Sequence, residues 1–335
     1  MENGIQNWKV LVADNSTVMG RLIKNYLVEM GLKGENITIT EDGNQASMMA
    51  GLMAFDLVTA GRHMKVKDGL ELLTELRANP DESISKVKFL MITADGSAQL
   101  LADVLSAGAD GLLSKPFHPK DFSETLERLN SGSNGFVCLS ENERYRDSSQ
   151  KKEESAGPEE ETDGIPARLV DIFVKNTIEG LGQYMVQAQP GNPCEKEEVK
   201  GDLVSSIELL DSKSGIKFHL TLLFPKKSAC TIYETLFGEV DMDMVCGIVG
   251  ELNNIIGGAV KPHLAEMANV CHLLLRPEGD PLVEGTELEF QLGFPDSKWL
   301  EAGEIGLPEN TGHNFMVPFQ LDDGKLFLSV TLQTA

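Results

Sequence analysis

Between residue 8 and about residue 130, short apolar runs alternate with amphipathic helical segments five times. "KVLVAD" precedes "STVMGRLIKNYLVEMG", "NITIT" precedes "GNQASMMAGLMA", and "DLVTAG" precedes "DGLELLTELRAN". "VKFLMITAD" then precedes "SAQLLADVLSAGA", and "DGLLSKPF" precedes "HPKDFSETLERLN". Strands that are apolar on both faces belong in a sheet covered on both sides, and regular β-α alternation supplies the helices that cover it. This pattern predicts an α/β domain over residues 1–135 with a doubly wound five-stranded parallel sheet. In such sheets ligands sit at the carboxyl ends of the strands.

The alternation then stops. Residues 141–164, "ENERYRDSSQKKEESAGPEEETDG", hold no aliphatic side chain except Ala156. Nothing there offsets the entropy of ordering, which predicts an acidic flexible linker over 136–164. A second domain is expected over 165–335. "ARLVDIFVKNTIEGLGQYM" reads as an amphipathic helix, and "DLVSSIELLD" and "GIKFHLTLLF" flank "SKSG" as a hairpin. "KKSACTIYETLFG" reads as a helix, and "DMDMVCGIVGELNNIIGGAVKPHLAEM" as two helical stretches broken near Pro262. "NVCHLLLRP", "TELEFQLGF", "HNFMVPFQL" and "KLFLSVTLQ" read as strands, the last two joined at "DDGK". The expectation is an α+β domain with a largely antiparallel sheet.

Composition narrows the function. A net charge of −23 opposes nucleic acid and anionic membranes as partners. "MENGIQNWKV" lacks the basic and apolar regions of a signal peptide, and no apolar run reaches the roughly 18 residues of a membrane helix. The five cysteines (138, 194, 230, 246 and 271) have neither zinc nor thioredoxin spacing, which suits reduced thiols in the cytoplasm.

The first domain resembles the receiver domain of two-component response regulators, with its flavodoxin-like fold. The family's acidic pair after the first strand matches Asp14 and Asn15. Its hydroxyl residue after strand four matches Thr93 in "MITAD", and its lysine before proline matches Lys115 in "SKPF". In that register Gly61 falls on the phosphoacceptor aspartate, and Lys65 replaces a proline four residues later. Glycine has no carboxylate to attack a phosphoryl donor, and Mg²⁺ favours carboxylates among octahedral oxygen ligands. The resemblance therefore implies a degenerate receiver that neither takes up phosphate nor binds Mg²⁺. A shifted acceptor would be Asp56, at the wrong end of its strand, or Asp68, in the following loop. Lys115 and Thr93 also leave room for a cis role, in which this domain mimics an unphosphorylatable substrate.

In the second domain the chemistry-bearing stretch is "MVCGIVGELNNIIGGAVKPHL". At about 100° per residue, Val245, Ile248, Val249, Leu252, Ile255 and Ile256 share one arc. Gly247, Glu251, Asn254 and Gly258 form a stripe on the other side, with Glu251 and Asn254 one turn apart. Each glycine costs the helix roughly 1 kcal/mol relative to alanine, a cost consistent with close approach by a partner. A carboxamide can accept a hydrogen bond from water and orient its lone pair, while a carboxylate binds a cation. The bland alternative is a solvated polar pair on a surface helix.

This domain resembles the CheX branch of the CheC/CheX/FliY chemotaxis phosphatases, whose signature is Glu, two residues, Asn, then Pro after a spacer of 22. Glu-x-x-Asn also occurs at Glu41/Asn44, Glu127/Asn130 and Glu266/Asn269, but only the 251/254 pair is followed by a proline, Pro277, at that spacing. Gly247 departs from the family's Asp or Ser. CheC-type members carry a second pair on their first helix, and "RLVDIFVKNTIEGLG" has none, so one site per chain is expected. The resemblance implies a phosphatase that hydrolyses the aspartyl phosphate of a separate CheY-like receiver. Glu251 would dock the partner's lysine, Asn254 would position water, and Mg²⁺ would reside on the partner rather than on this chain. It also implies a homodimer. The rival reading is a non-catalytic binding or scaffold protein that recognises receivers through both domains.

Overall fold

The structure is a computed structural model that describes residues 4–95, 98–132, 161–162, 165–196, 199–276, 288–301, 304–307 and 312–334. The chain divides into two compact units, Met1–Lys152 and Glu153–Ala335.

The first unit contains strands β1 (Val10–Ala13), β2 (Ile37–Thr40), β3 (Leu57–Gly61), β4 (Lys88–Thr93) and β5 (Gly111–Ser114). They pair in parallel in the order β2-β1-β3-β4-β5. That order reverses beside β1, which opens a crevice at the carboxyl ends of β1 and β3. Helices α1 (Thr17–Glu29), α2 (Gly43–Leu52), α3 (Gly69–Arg77), the short α4 (Glu82–Ser85), α5 (Ala98–Ser106) and α6 (Pro119–Ser131) complete the β-α units. Their starts follow from local chemistry. Ser16, Asp42 and Asp68 each accept a backbone N–H of the first turn of the helix that follows, and Asp68 and Glu71 form a capping box. β1, β3 and β5 are buried throughout, as their apolar runs require. Leu11, Val58, Phe89, Met91 and Leu112 build a core with Leu72, Leu73 and Leu76 of α3.

In the second unit β6 (Glu161–Thr162) pairs with β7 (Ile165–Pro166), and α7 follows over Ala167–Gln183. The rest of the expected linker, apart from those paired residues and 165 onward, lies outside the described residues. The main sheet contains β8 (Gln189–Pro190), β9 (Leu203–Asp211), β10 (Ile216–Phe224), β11 (Gln291–Leu292), β12 (Asp296–Trp299), β13 (His313–Leu321) and β14 (Gly324–Thr334). Every pairing is antiparallel, in the order β11-β9-β10-β14-β13-β8, and β12 also pairs with β9. The β9–β10 and β13–β14 hairpins turn where the sequence predicts. Helix α8 (Lys226–Phe237) leads into the 25-residue α9 (Met242–Glu266) and then α10 (Ala268–Leu275).

Three segments of the second unit differ from the sequence expectation. The long helix is not broken at Pro262, which sits inside α9. Proline removes one backbone donor, but Val260 and Leu264 on either side are fully buried and hold the helix together. The chain leaves the helix only at Met267. "NVCHLLLRP" is helical in α10, because a short apolar run is equally compatible with a buried strand or a helix. Its burial follows a helical repeat, with Ala268 and Cys271 buried and Leu273 exposed. Among the described residues of "TELEFQLGF", Gln291–Leu292 pairs with β9, while Leu288 and Phe290 enter the core as irregular chain.

Candidate functional site

The ends of β1, β3, β4 and β5 bring Asp14, Gly61, Thr93 and Lys115 together at the crevice of the first unit. The Lys115 ammonium lies 3.3 Å from Asp14 Oδ2, with the two side chains only 4% and 2% exposed. Asp14 Oδ1 accepts the Ser16 N–H, and the Lys115 N–H donates to the Thr93 carbonyl at 2.7 Å. The Thr93 hydroxyl accepts the Asp95 N–H. Asn15 is half-buried beside this cluster in sequence. A Cβ placed on Gly61 would lie 3.0 Å from Asp14 Oδ2, so the end of β3 abuts the carboxylate directly.

The two alternative acceptors have structural roles. Asp56 accepts the Lys9 N–H at the opposite end of the sheet. Asp68 caps α3 and pairs with Arg62. Lys115 is also not presented at the surface. The cis-mimic idea required an accessible ammonium, and burial against Asp14 removes it. Among the described residues, no three His, Cys, Asp or Glu side chains come together as a metal site. None of the described helices is long and apolar enough to cross a membrane.

In the second unit α9 packs against β9, β10, α7 and α8. The expected open stripe is correspondingly narrow. Gly247 is exposed and Asn254 half-buried, but Glu251 is only 3% exposed and Gly258 is buried. The wheel located the apolar arc correctly: Val245, Ile248, Val249, Leu252, Ile255 and Ile256 are all core residues. It did not show how many neighbours would close around the remaining arc. Glu251 and Asn254 lie one turn apart on a continuous helix, with Asn254 the more accessible. Pro277 lies outside the described residues.

Three functional features escaped the sequence reading. Gly250 and Gly257 let the helix lie flush on the sheet edge; a Cβ on Gly250 would sit 2.8 Å from Ser297 Oγ, and one on Gly257 2.7 Å from Leu292 Cδ1. Asn253, adjacent to Asn254, is wholly buried and donates to Ser205 O at 3.0 Å, Ser205 Oγ at 3.3 Å and Leu220 O at 3.4 Å. A polar residue in an apolar arc was the available signal for it.

Comparison with known proteins agrees with the first unit's geometry. Residues 10–127 match the family described as the response regulator receiver domain. Chemotaxis protein CheY-3 of Vibrio cholerae is 32% identical over 124 residues, which cover 37% of this chain and 92% of that protein. The chain belongs to the response regulator receiver family. Another relative of this receiver protein is chemotaxis protein CheY of Pseudomonas aeruginosa, 31% identical over 127 residues, 38% of this chain and 99% of that protein. Among solved structures, chemotaxis response regulator CheY4 of Vibrio cholerae covers 37% of the receiver protein and 98% of its own chain, at 27% identity and a TM-score of 0.34. Chemotaxis protein CheX from Vibrio vulnificus covers 49% and 99% respectively, at 19% identity and a TM-score of 0.39.

Proposed function

We propose that this chain is a protein-aspartate phosphatase acting on a separate, phosphorylated CheY-like receiver, and that its own receiver domain has lost phosphate uptake. The observation that carries the reading is the placement of Asn254. It is a half-buried carboxamide on the long helix, one turn from a recessed carboxylate. The Glu-x-x-Asn resemblance to the CheX branch supplies the chemical assignment.

In this reading the Asn254 side-chain oxygen accepts a hydrogen bond from water and aims its lone pair at phosphorus, opposite the aspartyl oxygen. The new P–O bond forms as the acyl-oxygen–phosphorus bond breaks. The aspartate leaves as a carboxylate, and the proton lost by water ends on the released phosphate or in solvent. Glu251 binds the partner's lysine. Its recessed position suits an ammonium on a flexible four-carbon stem better than a broad guanidinium. Mg²⁺ chemistry belongs to the partner receiver. The donors around Gly61 do not fit that ion, because the Asp14 carboxylate is engaged by Lys115 and position 61 supplies no oxygen ligand from a side chain. The reading further places the protein in the cytoplasm, as a homodimer with one site per chain.

A second reading, a binding or scaffold protein that recognises receivers without hydrolysing them, is favoured by the burial of Glu251. One experiment separates the two. Phosphorylated CheY-like receivers mixed with the full chain should lose phosphate faster than alone, whereas a scaffold would bind them and leave the rate unchanged.

A further inference from the structure

The most enclosed polar side chain on α9 is Asn253, and it adjoins the residue assigned to position water. Asn253 has no exposed surface. Its amide nitrogen reaches carbonyls on two adjacent strands, Ser205 of β9 and Leu220 of β10, and the Ser205 hydroxyl. Ser205 Oγ in turn accepts from Ser297 Oγ of β12 at 2.9 Å. The Asn253 side-chain oxygen is buried with no hydrogen-bond partner among the described residues. One turn before it and one turn after it, Gly250 and Gly257 pack without room for a Cβ against Ser297 and Leu292.

These contacts fix the helix in two respects. The close glycine contacts set its distance from the sheet. The amide bears on its rotation, since its hydrogen bonds tie this face of α9 to two strands at once. Core packing alone would not require this polar anchor. Leucine has a similar shape to asparagine, and the two carbonyls belong to strands that are paired on both sides. A buried amide with an unpartnered oxygen is therefore a poor device for stability and a good one for orientation.

We infer that Asn253 is a positioning residue: its anchor to β9 and β10 sets the rotation of α9 and thereby the direction in which Asn254 holds water. The inference rests on the phosphatase reading for its consequence in rate. Asn254 follows Asn253 by about 100° around the axis. Its polar atoms lie roughly 5–6 Å from the axis, so about 10° of helix rotation moves them by about 1 Å. A misplacement of that size commonly costs up to about 10²-fold in rate.

The test is Asn253→Leu in the full chain, with phosphate release measured from a phosphorylated CheY-like receiver well below the melting temperature. The expected result is a kcat at least about 10-fold lower, with KM within about two-fold and Tm within a few degrees. Should that variant fold poorly, Asn253→Ser is judged by the same split. An unchanged kcat, with or without a fall in Tm, overturns the inference and leaves Asn253 a core residue. If the wild type releases no phosphate, the phosphatase reading fails on its own. The positioning inference is then read from the Asn254 side-chain amide in ¹⁵N-asparagine-labelled protein. Signals that shift or split in Asn253→Leu support it, and signals that stay in place overturn it.

Discussion

Lys115→Met should unfold the first unit far more readily than an exposed lysine substitution would. The Lys115–Asp14 pair is 3.3 Å apart and almost completely enclosed. At an effective dielectric of about 20 its Coulomb attraction is about 5 kcal/mol. Removing one partner of such a pair leaves a buried charge and typically costs about 3–5 kcal/mol. In a unit of this size that lowers Tm by roughly 10–20 °C. Asp14 keeps the hydrogen bond from the Ser16 N–H, which places the expectation toward the lower end. The companion Asp14→Asn retains that hydrogen bond while removing the charge, so the double variant should recover part of the loss. Urea unfolding can be followed through Trp8 in a Trp299→Phe background, because the chain has two tryptophans. A coupling energy of at least about 2 kcal/mol from the double-mutant cycle is expected. A coupling below about 1 kcal/mol, the range of exposed pairs, would mean that this crevice is not held by a structural ion pair.

Two further outcomes follow from other parts of the chain. Incubation with acetyl phosphate and Mg²⁺ should leave residues 10–127 unmodified, and a stoichiometric acyl phosphate mapped there by mass spectrometry would end the degenerate-receiver reading. Burial pushes the Cys271 thiol up to about 12. The folded thiol holds its proton where an unfolded one, with an ordinary value near 9, has lost it. The stability it contributes is thus full below pH 9 and declines as pH rises toward 12, so alkaline unfolding should be less steep in Cys271→Ala.

How much was legible in sequence differs between the units. The parallel sheet was readable because β1, β3 and β5 come from predominantly apolar runs and are buried at every position, as doubly covered strands are. The convergence of Asp14, Thr93 and Lys115 followed once those strands were placed, although their burial as a salt bridge depends on three-dimensional enclosure. The second unit was harder. A periodic wheel identifies the most apolar arc of α9 but treats the rest as solvent, so Glu251 was expected outside and lies inside. Only the packing of α7, α8 and the sheet around one helix reveals that. Pro262 and the α10 segment show tertiary packing overriding a local signal. Asn253 was visible as a polar intruder at the margin of the apolar arc, but its partners, Ser205 and Leu220, are more than 30 residues away in sequence.

Dephosphorylation of another receiver by α9 through Asn254 is tested by the release of phosphate from a phosphorylated CheY-like receiver by wild type, Asn254→Ala and Glu251→Gln, compared at equal concentration. Wild type is expected to accelerate release, and Asn254→Ala to lose on the order of 10² in kcat with the fold intact. Glu251→Gln is expected to raise KM. Binding of the phosphorylated receiver without acceleration, or full activity in both variants, would contradict dephosphorylation through Asn254.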